Sequence, residues 1–211
     1  MPNPNELTPD NSALVLIDEQ PGIALLTQSI DKAALINNVA ALAKVAHALR
    51  VPTVLTTIDA QGALPNPIFP EITEVFTELE PIDRHMTNAW ADPEVRAAID
   101  QTGRRKLVMA GIQTEVCLAQ TALSALKDGF DVFFVSDCSA GSTPEAHQDA
   151  KDRMLKAGGT PINWVAVTAE WAPDHAVSQV DELLEVRSQR AGAGAMWANL
   201  NVATARAVAI G

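Results

Sequence analysis

The chain lacks tyrosine, and its only aromatic residues are five phenylalanines and four tryptophans. A tyrosine general acid is therefore excluded, and large stacking platforms for bases are unavailable. Basic residues are also few, since 15 Lys and Arg stand against 26 Asp and Glu for a formal net charge of −11. Nucleic acids and anionic membrane surfaces require a basic face, so we expect neither as a partner. A small-molecule substrate, even an anionic one, remains possible because a pocket can differ from the whole surface.

Cysteine is scarce as well, because Cys117 and Cys138 are the only two. Two cysteines are too few for a disulfide framework, and residues 1–12 contain neither the basic residues nor the apolar stretch of a signal peptide. We therefore expect two reduced thiols in a cytoplasmic protein. The apolar runs are all strand-sized, and none predicts a membrane span.

Patterns typical of metal and nucleotide sites are absent. The four histidines, His47, His85, His147 and His175, show no H-x-H or H-E-x-x-H spacing. No glycine-rich phosphate loop follows a strand-like run. The sequence therefore predicts neither a metal nor another cofactor.

Apolar strand-like runs alternate with segments of helical periodicity along most of the chain. We predict strands at 13–17, 52–57, 106–110, 132–135 and 161–165, and helices at 32–50, 93–101, 114–127 and 143–157. Asp92, Thr114 and Thr143 are the predicted N-caps of the last three helices. Strands that are apolar on both faces and alternate with helices indicate a doubly wound α/β fold, a parallel sheet between two helical layers.

The C-terminal segment differs in composition from the rest. Residues 188–211 are rich in Ala and Gly and contain no acidic residue. We predict a catalytic domain over residues 1–175, followed by a helical arm or partly ordered tail over residues 176–211.

Ligands bind beyond the carboxyl ends of the strands in open parallel sheets, and this rule selects a few residues. Asp18 follows the first predicted strand, and Cys117 lies at the start of the helix that follows the 106–110 strand. Asp18 is either a general base or an ordinary loop aspartate. Arg84 either pairs with one of these two residues or lies on the surface.

Cys117 has a specific reason to be reactive. Gly111 permits a sharp strand-to-helix turn, which would place Cys117 in the first helical turn. Free backbone N–H groups and the helix dipole favour a thiolate at that position. The alternative is a buried cysteine that packs as a small hydrophobic residue. Cys138 has no helix-start context, and we interpret it as structural.

Three segments together resemble the isochorismatase-like cysteine hydrolases, most closely the YcaC-like branch. They are LVLID at 14–18, Asn-Ala-Trp at 88–90 and AGIQTEVC at 110–117. Two further stretches, LKDGFDVFFVSDCSAG and DRMLKAGGTPINW, extend the similarity to about residues 11–173. The resemblance implies a three-layer sandwich with a six-stranded, mainly parallel sheet of order 3-2-1-4-5-6. It also implies a homo-oligomer such as an octamer, in which the C-terminal arm would contribute to assembly.

The resemblance also implies a catalytic triad. Its nucleophile falls on Cys117 and its aspartate on Asp18, whereas the position usually held by lysine is occupied by Arg84. This is a departure, because an arginine stays protonated and cannot exchange a proton as a lysine does. A cis peptide bond is implied between Ile112 and Gln113, with the N–H groups of Gln113 and Cys117 forming the oxyanion hole.

Three further residues are implied as lining of the substrate pocket, namely Asn88, Trp90 and Trp164. The histidines by which nicotinamidases of this family bind a metal are missing after Asp59, so no catalytic metal is expected.

The resulting hypothesis is a hydrolase that cleaves a small amide-type carbon–nitrogen bond through a thioester intermediate. One alternative is a non-catalytic or redox-responsive member that binds a small molecule. A second alternative is a vinyl-ether hydrolase, whose chemistry does not depend on a cysteine nucleophile.

Overall fold

Six strands form one sheet in the computed structural model, which describes residues 6–62, 65–173 and 180–192. The strands are β1 (Ser12–Ile17), β2 (Thr53–Ile58), β3 (Ile82–Arg84), β4 (Lys106–Gly111), β5 (Asp131–Val135) and β6 (Thr160–Ile162). Their order is β3-β2-β1-β4-β5-β6, and every neighbouring pair is parallel. The predicted doubly wound α/β fold and its strand order are confirmed.

Helices cover both faces of the sheet. In the described part of the chain they are α1 (Pro21–Ala24), α2 (Lys32–Ala48), α3 (Pro70–Thr73), α4 (Pro93–Gln101), α5 (Ala119–Lys127), α6 (Pro144–Lys156), α7 (Trp164–Trp171) and α8 (Val180–Arg190). One apolar core lies between the sheet and α2, α3, α7 and α8, and a second lies between the sheet and α4, α5 and α6. None of these described helices has the length and apolar character that a membrane crossing needs.

The central strand β1 shows why its sequence is apolar throughout. Leu14 and Leu16 pack into the core on the α2 side, whereas Ala13, Val15 and Ile17 pack into the core on the α5 side. All five side chains are fully buried. A strand that is covered on both faces cannot alternate apolar and polar residues, which is the physical basis of the prediction.

The end of the sheet differs from the prediction. The strand predicted at 161–165 ends at Ile162, and α7 begins two residues later. The Asn163 side chain accepts a hydrogen bond from the Ala166 N–H at 2.8 Å and so caps this helix. A short apolar run fits a strand and a buried helix equally well, and the cap decides between them.

The segment after β4 also differs from the prediction. Asp92 and Thr143 are confirmed as N-caps, because their side chains accept hydrogen bonds from backbone N–H groups of the following turn. Thr114 is not a cap. It is the first residue of a π-helical turn, Thr114–Leu118, that precedes α5. Its hydroxyl contacts His147 instead of the backbone.

The predicted C-terminal arm lies partly outside the described residues, which omit 174–179 and 193–211. Its described part, α8, packs on α2. Leu183 and Val186 are buried there, and the Asn37 side chain donates to the Arg190 carbonyl at 2.9 Å. The domain boundary at residue 175 and a role of the arm in oligomerisation stay predictions.

Candidate active site

The carboxyl ends of three strands bring Asp18, Arg84 and Cys117 together. Asp18 directly follows β1, Arg84 is the last residue of β3, and Cys117 lies in the π-helical turn after β4. In the sheet, β1 has β4 on one side and β2, followed by β3, on the other. The segments at the carboxyl ends of these parallel strands therefore lie at the same edge of the sheet. The three side chains are buried, with relative exposures of 0%, 1% and 6%.

Asp18 forms a buried ion pair with Arg84. One guanidinium nitrogen of Arg84, Nη2, donates to both carboxylate oxygens of Asp18 at 2.8 and 2.7 Å. The other terminal nitrogen donates to the Met86 carbonyl. Thr56 adds a longer contact of 3.3 Å to Asp18. Asp18 itself adopts a left-handed backbone conformation with φ of 57°, which is uncommon outside glycine and typical of functional sites.

Cys117 joins this pair through its sulfur. The sulfur lies beside the Asp18 carboxylate and the Gln113 backbone N–H, and both of these groups affect the pKa of the thiol. The peptide bond between Ile112 and Gln113 is cis, as the resemblance implies. The carbonyl of Cys117 accepts from the Thr121 hydroxyl at 2.7 Å. An acid, a cation, a thiol and a backbone N–H therefore meet at one point.

The resting site contains a thiol, which corrects the expectation of a thiolate. Burial first, and then the neighbouring Asp18 charge, raise the pKa of Cys117 to about 12, against smaller opposing effects of Arg84 and the Gln113 N–H. The lowering effect of a helix start on a thiol pKa is outweighed when the sulfur is desolvated beside a carboxylate. Burial also raises the pKa of Asp18, although Arg84 and hydrogen bonds from Cys117 and Thr56 lower it. The more basic carboxylate is a better proton acceptor.

Gly111 permits the strands to approach closely at the site. A Cβ atom at this position would lie 2.8 Å from both the Cβ and the carbonyl oxygen of Ile17. The prediction attributed Gly111 to a sharp turn, but its φ is not in the left-handed region. The glycine is needed for the contact between β1 and β4, which sets the distance from Asp18 to the Cys117 turn.

Several supporting side chains were not predicted. Thr56 and Thr121 are fully buried and contact Asp18 and the Cys117 backbone, respectively. Ser139 donates to the Val135 carbonyl and accepts from the Gly111 N–H. Hydroxyl residues inside apolar strands and helices are common, and no local pattern marks these three. Thr56 and Ser139 have partners from elsewhere in the chain, Asp18 and Gly111, whereas Thr121 bonds to the carbonyl four residues earlier.

The three predicted pocket residues make other contacts. The side-chain oxygen of Asn88 accepts from the Trp90 N–H at 3.1 Å. The Trp90 indole donates to Asp128 at 2.9 Å, and its ring packs edge-on against Phe130, next to the amino end of β5. Trp164 is buried in the core on the α2 side. The role of these three residues in substrate binding stays a prediction.

Cys138 is fully buried on the α2 side of the sheet, in keeping with the structural interpretation. Within residues 6–62, 65–173 and 180–192, no group of three or more His, Cys, Asp or Glu side chains has an arrangement that could hold a metal ion. A cleft of about 790 Å³ lies beside the edge strand β6, where Ser136, Thr160 and Glu170 line it, and it is separate from the triad.

Comparison with known proteins identifies the family of the chain. The model of the isochorismatase domain matches residues 12–166. The chain belongs to the isochorismatase family. The curated protein "Probable hydrolase YcaC" of Escherichia coli strain K12 is 37% identical over 166 residues, which are 78% of this chain and 79% of that protein. The chain is therefore a YcaC-like member of this family of hydrolases.

Two solved structures of YcaC are similar over nearly the whole chain. YcaC from Pseudomonas aeruginosa, solved with hexane-2,5-diol and covalent acrylamide, has a TM-score of 0.89 and 32% identity, and covers 96% of this chain and 98% of its own. YcaC from Escherichia coli, described as an octameric hydrolase of unknown specificity, has the same TM-score and identity, and covers 98% of this chain and 99% of its own.

Proposed function

We propose that this isochorismatase-family protein is a cysteine hydrolase that cleaves a small amide-type carbon–nitrogen bond through a thioester at Cys117. The observation that carries the proposal is the burial of Cys117 beside Asp18, whose two carboxylate oxygens accept hydrogen bonds from Arg84. A nucleophile in contact with a base, and a base held by a third group, is the arrangement expected for nucleophilic catalysis.

The first half of the reaction forms the thioester. Asp18 takes the thiol proton while the Cys117 sulfur attacks the carbonyl carbon, so a pre-formed thiolate is not required. The carbonyl oxygen becomes negative, and the N–H groups of Gln113 and Cys117 donate to it. The proton on Asp18 then passes to the leaving nitrogen, the carbon–nitrogen bond breaks, and the amine departs.

The second half hydrolyses the thioester. Asp18 takes a proton from a water molecule, whose oxygen attacks the same carbon. The carbon–sulfur bond breaks, the acid product leaves, and the proton returns from Asp18 to the sulfur. Arg84 does not exchange protons, because a guanidinium stays charged at neutral pH. Its role is to orient Asp18 and to balance the negative charge that the carboxylate, thiolate or oxyanion carries in turn.

The burial of all three side chains favours a small substrate. Cys117 is 6% exposed, so only a narrow approach reaches the sulfur. Acrylamide is covalently bound in the related structure from Pseudomonas aeruginosa, which makes this small amide a suitable probe here. In keeping with the octameric relative from Escherichia coli, we propose that this chain forms a homo-oligomer of the same kind, with the C-terminal arm at its interfaces. A cytoplasmic location stays a prediction from the sequence.

The decisive experiment compares wild type with Cys117→Ala on a panel of small amides, imides and ureido compounds. We expect turnover by wild type, none by Cys117→Ala, and full turnover by the matched control Cys138→Ala, whose thiol lies on the other side of the sheet. Equal turnover by wild type and Cys117→Ala would contradict the mechanism. Retained cleavage of a vinyl ether by Cys117→Ala would instead support the vinyl-ether hydrolase, and binding without turnover would support the non-catalytic alternative.

A further inference from the structure

The π-helical turn that carries Cys117 contacts α6 and the loop that precedes α6. Thr114, its first residue, is fully buried, and its N–H donates to the Ala140 carbonyl at 2.9 Å. The Thr114 hydroxyl lies 2.8 Å from Nδ1 of His147, which belongs to α6. The next residue, Glu115, accepts a hydrogen bond from the Ser142 N–H at 2.9 Å. None of these contacts involves the reacting atoms.

The direction of the Thr114–His147 bond follows from the hydroxyl hydrogen. Among the described residues, Nδ1 is the one acceptor that the Thr114 hydroxyl contacts. A buried hydroxyl hydrogen needs an acceptor, so Thr114 donates and Nδ1 accepts. The imidazole is then neutral, with its proton on Nε2.

Two charged side chains face His147. Glu115 reaches it from the Cys117 turn, and Lys151 lies one turn further along α6. Burial lowers the pKa of His147, Lys151 lowers it further, and Glu115 opposes both. The packing is tight, because a Cβ atom on Gly141 would lie 2.8 Å from both Glu115 Oε2 and His147 Cβ. Oε2 of Glu115 is buried and has no hydrogen-bond partner among the described residues.

We propose that His147, acting through Thr114, is a positioning residue for the Cys117 turn, and that the neutral imidazole is its working form. The inference rests on the proposed function of Cys117 as the nucleophile. Cys117 lies three residues after Thr114, so a displacement of the first residue moves the sulfur relative to Asp18 and the Gln113 N–H. Nucleophilic attack is sensitive to displacements of this kind.

Protonation of His147 reverses the bond. Nδ1 then carries a hydrogen and becomes a donor, and the Thr114 hydroxyl hydrogen loses its acceptor. The start of the turn must shift or leave this hydroxyl unpaired. Reactivity at Cys117 is therefore expected to fall on the acid side, below the ordinary imidazole pKa of about 6.5.

The test measures the rate at which acrylamide alkylates Cys117, by intact-protein mass spectrometry with peptide mapping, between pH 5 and pH 9. His147→Leu removes the acceptor, whereas His147→Asn keeps a polar atom at the same branch point and does not titrate. Thr114→Val removes the donor, and Thr114→Ser retains it. The matched control is His47→Asn, an exposed histidine on α2, across the sheet.

At pH 8 we expect His147→Leu and Thr114→Val to slow alkylation by about two- to tenfold, the range of one hydrogen bond. The double variant should be no slower than the single ones. His147→Asn, Thr114→Ser and His47→Asn should stay within about twofold of wild type, less than the loss of a hydrogen bond. The ratio of wild-type to His147→Asn rates should be constant at high pH and fall on the acid side, a signature that a purely structural role would not produce.

Equal rates in wild type, His147→Leu and Thr114→Val, or a rate ratio independent of pH, would overturn the positioning role and leave the nucleophile assignment intact. An equal decrease in the alkylation rate in His147→Asn and His147→Leu would also overturn the positioning role, because the ring would then contribute only through packing. Failure of acrylamide to label Cys117 in wild type would overturn both proposals. Circular dichroism and thermal unfolding of each variant separate these effects from loss of the fold.

Discussion

Replacement of Arg84 by methionine tests the buried ion pair most directly. Arg84 and Asp18 are 1% and 0% exposed, and the two hydrogen bonds between them measure 2.8 and 2.7 Å. Methionine retains most of the apolar stem but leaves the Asp18 carboxylate buried without its cation. Breaking a buried pair from one side costs about 3–5 kcal/mol of unfolding free energy. For a chain of this length, this corresponds to a decrease in Tm of roughly 6–20 °C.

The loss should depend on pH, with a sign that the structure fixes. The pKa of Asp18 is already raised in the folded wild type, mainly by burial, and Arg84 limits that rise. Without Arg84 the folded pKa rises further, so folded Asp18 binds a proton up to a higher pH than the unfolded chain does. Stability then falls as pH rises through this interval. We expect Arg84→Met to be less destabilising at pH 5 than at pH 8.

The assay is urea unfolding, followed by tryptophan fluorescence at matched protein concentrations, because assembly alters apparent stability. Arg153→Met, an exposed arginine on α6, is the control and should change the unfolding free energy by less than about 0.5 kcal/mol. Asp18→Asn combined with Arg84→Met should recover part of the loss, since no charge is then left unpaired. A loss below about 1 kcal/mol for Arg84→Met would refute the reasoning, because that is the value of a surface pair.

Three further predictions concern stability. Gly111→Ala should lower the unfolding free energy, measured by urea unfolding, by about 1–3 kcal/mol, because the new methyl group would overlap with the Ile17 carbonyl. An unchanged unfolding free energy would show that the two strands can move apart without cost. Burial raises the pKa of Glu19 well above its ordinary value, and its carboxyl has no hydrogen-bond partner among the described residues. Glu19→Gln should therefore become increasingly more stable than wild type as pH rises from 5 to 9 in thermal unfolding. Equal pH dependence of the two proteins would contradict this. Asn163→Ala should cost about 0.5–2 kcal/mol in urea unfolding through loss of the α7 cap, whereas Asn163→Asp should not; equal losses would exclude the cap.

Local patterns accounted for most of the fold. The buried strand β1 and the caps at Asp92 and Thr143 were predictable because their signals lie within a few residues of sequence. The boundary between β6 and α7 was not predictable in this way, because a short apolar run fits both elements. The π-helical turn at Thr114–Leu118 was missed for a different reason, since the Thr114 side chain bonds to a histidine 33 positions away.

Local sequence patterns predicted five of the six strands but not β3, which carries Arg84. The resemblance to a family supplied the strand order and selected Asp18, Arg84, Gln113 and Cys117 as site residues. The protonation of Cys117, in contrast, depends on the folded structure. Position at a helix start predicts a thiolate, but burial beside a carboxylate gives Cys117 a pKa of about 12. Desolvation and charge pairing depend on groups that meet only after folding, since residues 18, 84 and 117 lie at or beyond the carboxyl ends of three different strands. The three-dimensional arrangement therefore makes Cys117 a thiol that Asp18 must deprotonate during attack, and it places Arg84 as a fixed counter-charge rather than a proton carrier.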